Sequence, residues 1–103
     1  MAVVMDILDN ERRRLVKLLS KYESELSELP KGSISIKKRR NRDYAYLAHR
    51  EGKKVVSDYV GPASSDAVHD LGKMIERRKE LEDKIRQVKQ NLKVVERSLR
   101  AGR

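Results

Sequence analysis

Cysteine is missing altogether, which excludes disulfides and thiolate metal sites. Tryptophan and phenylalanine are missing too, and only four tyrosines stand among 103 residues, so a large aromatic core is impossible. No apolar run approaches the roughly 20 residues that a membrane-spanning helix needs. The opening MAVVMDILDNE carries acidic residues where a secretory signal would carry Lys or Arg. These absences predict one small cytoplasmic domain, residues 1–103, without a membrane segment.

Charge is what the chain has in abundance. Charged residues make up 40% of it and the formal net charge is +9. So polar a chain does not suit an ordinary globule of this size. It does suit long helices whose apolar residues form one narrow stripe. The excess of one sign favours polyanionic partners, and it is unevenly spread. Residues 31–62 hold nine basic and three acidic residues, net +6, whereas residues 1–30 are net −1 and residues 63–103 net +4.

Residues 2–28 predict a helix. Met5, Leu8, Arg12, Leu15, Leu19, Tyr22, Leu26 and Leu29 recur in alternating steps of three and four, the pattern of a coiled-coil seam. Val4, Ile7, Val16 and Leu18 widen the apolar face, and Pro30 and Gly32 end the helix. Residues 33–60 switch to period two. Tyr, Val and Ile favour strands, while Arg40-Asn41-Arg42 and Glu51-Gly52 read as turns. Three strands in hairpin succession make a meander. Residues 65–100 predict a longer helix capped by Ser64, Ser65 or Asp66. Its heptads place Leu71, Arg78, Ile85, Leu92 and Leu99 at one seam position and Met74, Leu81, Val88 and Val95 at the other. The register runs without proline, and Gly72 is its one weak point.

The predicted fold is therefore α+β: an antiparallel, coiled-coil-like helical hairpin with a three-stranded antiparallel β-meander between the helices. If Leu29 and Asp66 both sit at the sheet, Leu8 falls opposite Val88 and residues after about Glu96 outrun the first helix. A two-helix hairpin leaves much of a wide apolar face uncovered, so a homodimer is expected, with Leu8, Leu15, Leu19, Leu81, Ile85, Val88, Leu92 and Val95 as the coiled-coil and dimer seam. Arg12 and Arg78 each interrupt a seam, where pairing with a Glu would fix register or oligomer state; a wet edge is the favoured place for both, because burying an unpaired charge is costly.

The candidate binding residues are cations at the two turns. Lys37, Lys38, Arg39, Arg40 and Arg42 crowd the first, and Arg50, Lys53 and Lys54 crowd the second. Lys and Arg contacts to phosphate supply most sequence-independent affinity for nucleic acid. Basic turns also keep edge strands from pairing with other chains, the competing structural explanation. Tyr44 and Tyr46 are expected to face the helices, since something must form the core. A second, weaker basic stretch runs along the long helix from Lys84 through Lys89, Lys93, Arg97 and Arg100 to Arg103, opposed only by Glu96. Catalytic, metal and cofactor sites are not expected. His49 and His69 lack a spaced set of ligands, and the chain has no phosphate loop or nucleophile elbow.

The segment LPKGSISIKKRRNRDYAYLAHREGKKVVSDYVG, residues 29–61, resembles a small bacterial and archaeal family of no settled activity. Its pattern is LPKGSI, a basic turn, YYYL, REGGKV and YIG between charged helices. Tyr44, Tyr46, Leu47, Arg50, Glu51, Gly52, Lys54, Val55, Tyr59 and Gly61 match it. Ala45 stands where a second tyrosine is usual and Lys53 where a glycine is usual, departures that count against a tyrosine stacking platform. A similar strand module occurs in the N-terminal parts of some transposases. The resemblance implies a link to DNA binding and supplies no catalytic residues. The expected function is non-catalytic nucleic-acid binding through the basic turns, with DNA ahead of RNA. The alternative is a protein-interaction module acting through its helices.

Overall fold

The computed structural model describes residues 2–102; Arg103 lies outside them. Helix α1 (Ala2–Ser27) leads to strands β1 (Ser33–Arg39), β2 (Arg42–Glu51) and β3 (Lys54–Pro62), and helix α2 (Asp66–Ala101) follows. The class is α+β, with the elements in the order that the change of hydrophobic period predicts. Among the described residues, no helix is long and apolar enough to cross a membrane. The chain gathers into two compact units, Met1–Glu28 with Glu80–Arg103, and Leu29–Lys79.

The first unit is a helical hairpin. Leu15, 2% exposed, forms its core with Val88 and Leu92, and Leu18, Leu19, Tyr22 and Val95 pack around them. Leu81, Ile85 and Leu99 are buried as well, so α2 buries one stripe in steps of three and four along this half, as its heptads predict. Leu8 is half-buried. Lys84 Nζ lies 5.7 Å from the centre of the Tyr22 ring. At the other end, a Cβ placed on Gly102 would fall 2.7 Å from the Met5 sulfur. Partners on α2 therefore descend in number as those on α1 ascend, and the helices run antiparallel.

These pairs correct the expected register. Met5 lies by Gly102 and Leu15 by Leu92, so Leu8 is not opposite Val88 and the chain beyond Glu96 does not outrun α1. Leu99 is 5% exposed, inside the hairpin. The expectation put Leu29 beside Asp66. Instead Arg78 Nη1 donates a hydrogen bond to the Leu29 carbonyl at 3.1 Å, about three turns further along α2. Arg78 thus holds the chain where it leaves α1. Arg12 lies half-buried at the edge of its helix, 3.4 Å from Asp9. On the exposed surface, Arg14 donates to both carboxylate oxygens of Glu11, at 3.0 and 2.7 Å, which holds that carboxyl below its ordinary range. So exposed a pair is screened by water and adds little stability.

The second unit is the sheet with the start of α2. The strands lie in the order β1-β2-β3, both pairs antiparallel. Arg40 and Asn41 have φ of 51° and 68°. Two left-handed residues between the paired Arg39 and Arg42 make a type I′ hairpin, whose twist matches that of its strands. Gly52, with φ of 62°, opens the second hairpin, where glycine avoids the Cβ penalty of that region. Gly32 does more than stop α1, because a side chain on it would collide with the Ala48 carbonyl of β2. The cap of α2 is Ser65, whose Oγ accepts from the Val68 amide at 3.4 Å.

One sheet face is turned to α2. Ile34 Cδ1 lies 3.8 Å from where a Cβ on Gly72 would stand. Ile34 pairs with Leu47 and Ile36 with Ala45, and paired residues share a face. Ala45 is 0% exposed. On α2 the buried residues here are Val68 and Ile75, while Met74 is 46% exposed. The heptad reading had Met74 in the seam. A continuous seven-residue register does not carry through this stretch, because its partner is a sheet rather than another helix.

Candidate nucleic-acid interface

Strand alternation fixes what the opposite sheet face carries. Along β2, Arg42, Tyr44, Tyr46, Ala48 and Arg50 share a side, and their cross-strand partners include Arg39, Lys37, Ser35, Tyr59 and Val55. A bulge between Ala45 and Tyr46 sets Gly61 opposite Ala45 and Tyr59 opposite Tyr46, leaving Val60 as the extra residue. Tyr59 and Pro62 thereby join the same face. The tyrosines consequently do not face the helix, contrary to the sequence expectation. The inner face takes Ala45, Ile34 and Leu47, whose aliphatic bodies fill the space without aromatic rings.

The three rings meet on the outer face. Tyr44 and Tyr59 have ring centres 6.2 Å apart at 54°, and Tyr46 and Tyr59 have centres 5.5 Å apart at 62°. Such tilted contacts set the positive edge of one ring against the negative face of another. Lys37 Nζ sits 4.7 Å from the Tyr46 centroid, within cation–π range. Tyr59 remains 58% exposed. The rings and the guanidinium-bearing residues Arg39 and Arg40 line one open cleft of about 540 Å³. Arg42 and Tyr44 line a neighbouring one of about 400 Å³ with Asp43 and Pro62.

The candidate cations divide accordingly. Lys37, Arg39, Arg40 and Arg42 gather at the tyrosine end of the outer face. Arg50 shares that face at its far end, opposite Val55, roughly 26 Å from Arg42 at the usual rise per strand residue. Lys53 is in the second turn. Lys38 and Lys54, paired with Asp43 and Glu51, alternate to the inner face. The signal that finds the tyrosines is the period-two spacing of Tyr44, Tyr46 and the basic residues together. It was present in the sequence, but sequence alone leaves open which of two faces meets the helix.

Arg40 is the strained member of the set. The first central position of a type I′ turn favours Asn, Asp or Gly, and a left-handed residue with a full side chain costs roughly 1 kcal/mol. Arg40→Asn is expected to raise the melting temperature by about 4 °C or more, while weakening oligonucleotide binding several-fold. A thermal melt and an anisotropy titration of the same sample check the two signs.

Elsewhere, His49 Nε2 and Asp58 Oδ2 lie 2.7 Å apart, bridging β2 and β3 on the inner face. Among the described residues, no three His, Cys, Asp or Glu side chains gather to hold a metal ion.

A family model described as Domain of unknown function (DUF6788) matches residues 6–69. The chain belongs to this family. The DUF6788 region takes in most of α1, the whole sheet and the first turn of α2. It thus contains both basic turns and the three outer tyrosines, while most of α2 lies beyond it. No curated protein and no solved structure matches the chain.

Proposed function

We propose that this protein binds nucleic acid, without catalysis, through the outer face of its sheet. One observation carries the reading: four cations of the first turn and three tyrosines converge on the face turned away from α2. Basic turns that served only to blunt sheet edges would have no need of exposed rings between them. Cations supply phosphate affinity and rings supply sequence-tolerant contact with bases. The strand module's resemblance to a segment in the N-terminal part of some transposases puts DNA ahead of RNA. The outer face offers no histidine or carboxylate pair for acid–base chemistry, since His49 and Asp58 lie on the inner face. The test is a salt titration of binding to duplex and single-stranded oligonucleotides. Affinity falling steeply as salt rises is expected; no binding to either at low salt would sink the reading.

A second reading, self-association through the helices as a coiled-coil assembly module, is favoured by the apolar residues that the hairpin leaves in solvent. Val3, Val4 and Ile7 are exposed within two turns at the start of α1, and Val16 and Val94 further along. A homodimer forming a four-helix bundle would cover such residues. Light scattering at high micromolar concentration is expected to give twice the chain mass of 12.0 kDa, and a monomer would remove the bundle.

A further inference from the structure

We propose that the nucleic acid held by the tyrosine face is a single strand whose unpaired bases stack on Tyr59 and Tyr44. This rests on the nucleic-acid reading above and names the form of the ligand. Four features point to it. Tyr59 is 58% exposed in the middle of the ring cluster, although a ring of this size ordinarily buries its body. The rings meet at 54° and 62°, tilted rather than stacked flat on one another, so the cluster does not satisfy its own stacking. Lys37 lies over Tyr46, which occupies that ring, whereas Tyr59 is exposed and half-buried Tyr44 lines the cleft beside it. Finally, Arg39, Arg40 and the rings line the same open cleft.

That last juxtaposition distinguishes strand from duplex. A duplex keeps the π faces of its bases inside its own stack and offers a protein only phosphates and base edges. Arginines would serve such a ligand, but open ring faces beside them would not. A single strand offers phosphate and base face from one nucleotide, and arginine beside an exposed aromatic ring matches both. The bulge at Val60 belongs to this arrangement. By shifting the phase of β3 it keeps Tyr59 opposite Tyr46 while bringing Pro62 opposite Tyr44, so the platform extends along the sheet without interruption.

Anisotropy titrations of the full chain with a labelled oligothymidylate, a duplex of equal length, and an abasic strand of equal length and charge test the proposal. The oligothymidylate is expected to bind at least about tenfold more tightly than the abasic strand, in line with stacking on one or two rings. It should also quench tyrosine emission, which the abasic strand should not. The absence of tryptophan leaves tyrosine as the emitter, and Tyr22 is the single tyrosine outside the platform. Tyr59→Ala should lose most of the tenfold preference with an unchanged salt slope, and Tyr59→Phe should keep it. Circular dichroism of both variants checks the fold, and the abasic comparison stands whether or not they fold. Equal affinity for the oligothymidylate and the abasic strand, or tighter binding of duplex, overturns stacking and leaves phosphate binding by the turn intact. Failure of all three ligands to bind at low salt overturns both.

Discussion

Replacing Lys37, Lys38, Arg39, Arg40 and Arg42 by alanine is expected to abolish nucleic-acid binding at physiological salt and leave the fold intact. Four of these residues serve the outer face; Lys38 alternates to the inner one. For a single strand, the logarithm of affinity falls with the logarithm of salt by about 0.7 for each phosphate contact. By that slope, four lost contacts amount to roughly four-thousandfold at about 50 mM salt and roughly two-hundredfold at about 150 mM. The salt slope itself should flatten by close to three. This second readout separates lost phosphate contacts from a general loss of structure, which would remove binding at every salt concentration. The fold should survive because all five side chains are exposed. Arg40 even strains its turn, so its removal does not cost a stabilising contact. Lys38→Ala alone is expected to change affinity least. If the fivefold variant binds as its parent does at physiological salt, the sheet is not the interface, and self-association becomes the better account of the chain.

The basic turns were legible because charge density is a property of sequence alone, and the hairpins because Asn41 and Gly52 mark left-handed backbone. The tyrosine face was not, since period two gives two faces and no sign to tell them apart. Ala45 illustrates the difficulty. Its place in a row of tyrosines counted against a stacking platform, yet it points the other way and is fully buried. A tyrosine there would belong to the core, so the substitution leaves the outer row of Tyr44, Tyr46 and Tyr59 untouched. The helices divided in the same manner. From Leu81 to Leu99 the heptads name the buried residues, because a helix packing on a helix keeps that spacing. Before Leu81 the partner is a sheet, and Ile75 is buried where Met74 was expected. That stretch of α2, Asp66–Lys79, also sets the hairpin register. Its residues are taken up by the sheet unit, so Leu29 meets the helix at Arg78 rather than at its first turn. Hydrophobic spacing tells how a helix is striped, but not which neighbour each turn of the stripe receives.

The stripe on α1 makes a prediction that does not depend on any ligand. Leu15→Ala is expected to cost about 3 kcal/mol, within the range for a leucine removed from a packed core. Leu15 is 2% exposed and touches Val88 and Leu92 with a ring of partly buried residues around them. Its loss leaves a space between two long helices, at the centre of the stripe that joins them. A chain of this length is stable by only about 5–15 kcal/mol in all, so the melting temperature should fall by at least about 12 °C. Val16 is the internal control. It is the next residue on the same helix, but it is 45% exposed, so Val16→Ala should fall within about 0.5 kcal/mol of the parent. Urea denaturation followed by circular dichroism measures both at one protein concentration, which fixes any contribution from self-association. Equal losses at the two positions would mean that α1 buries a wider face than this hairpin provides, as it would on meeting a second pair of helices. A large loss at Leu15 alone would assign the stability of the helical unit to the single seam that the hairpin itself closes.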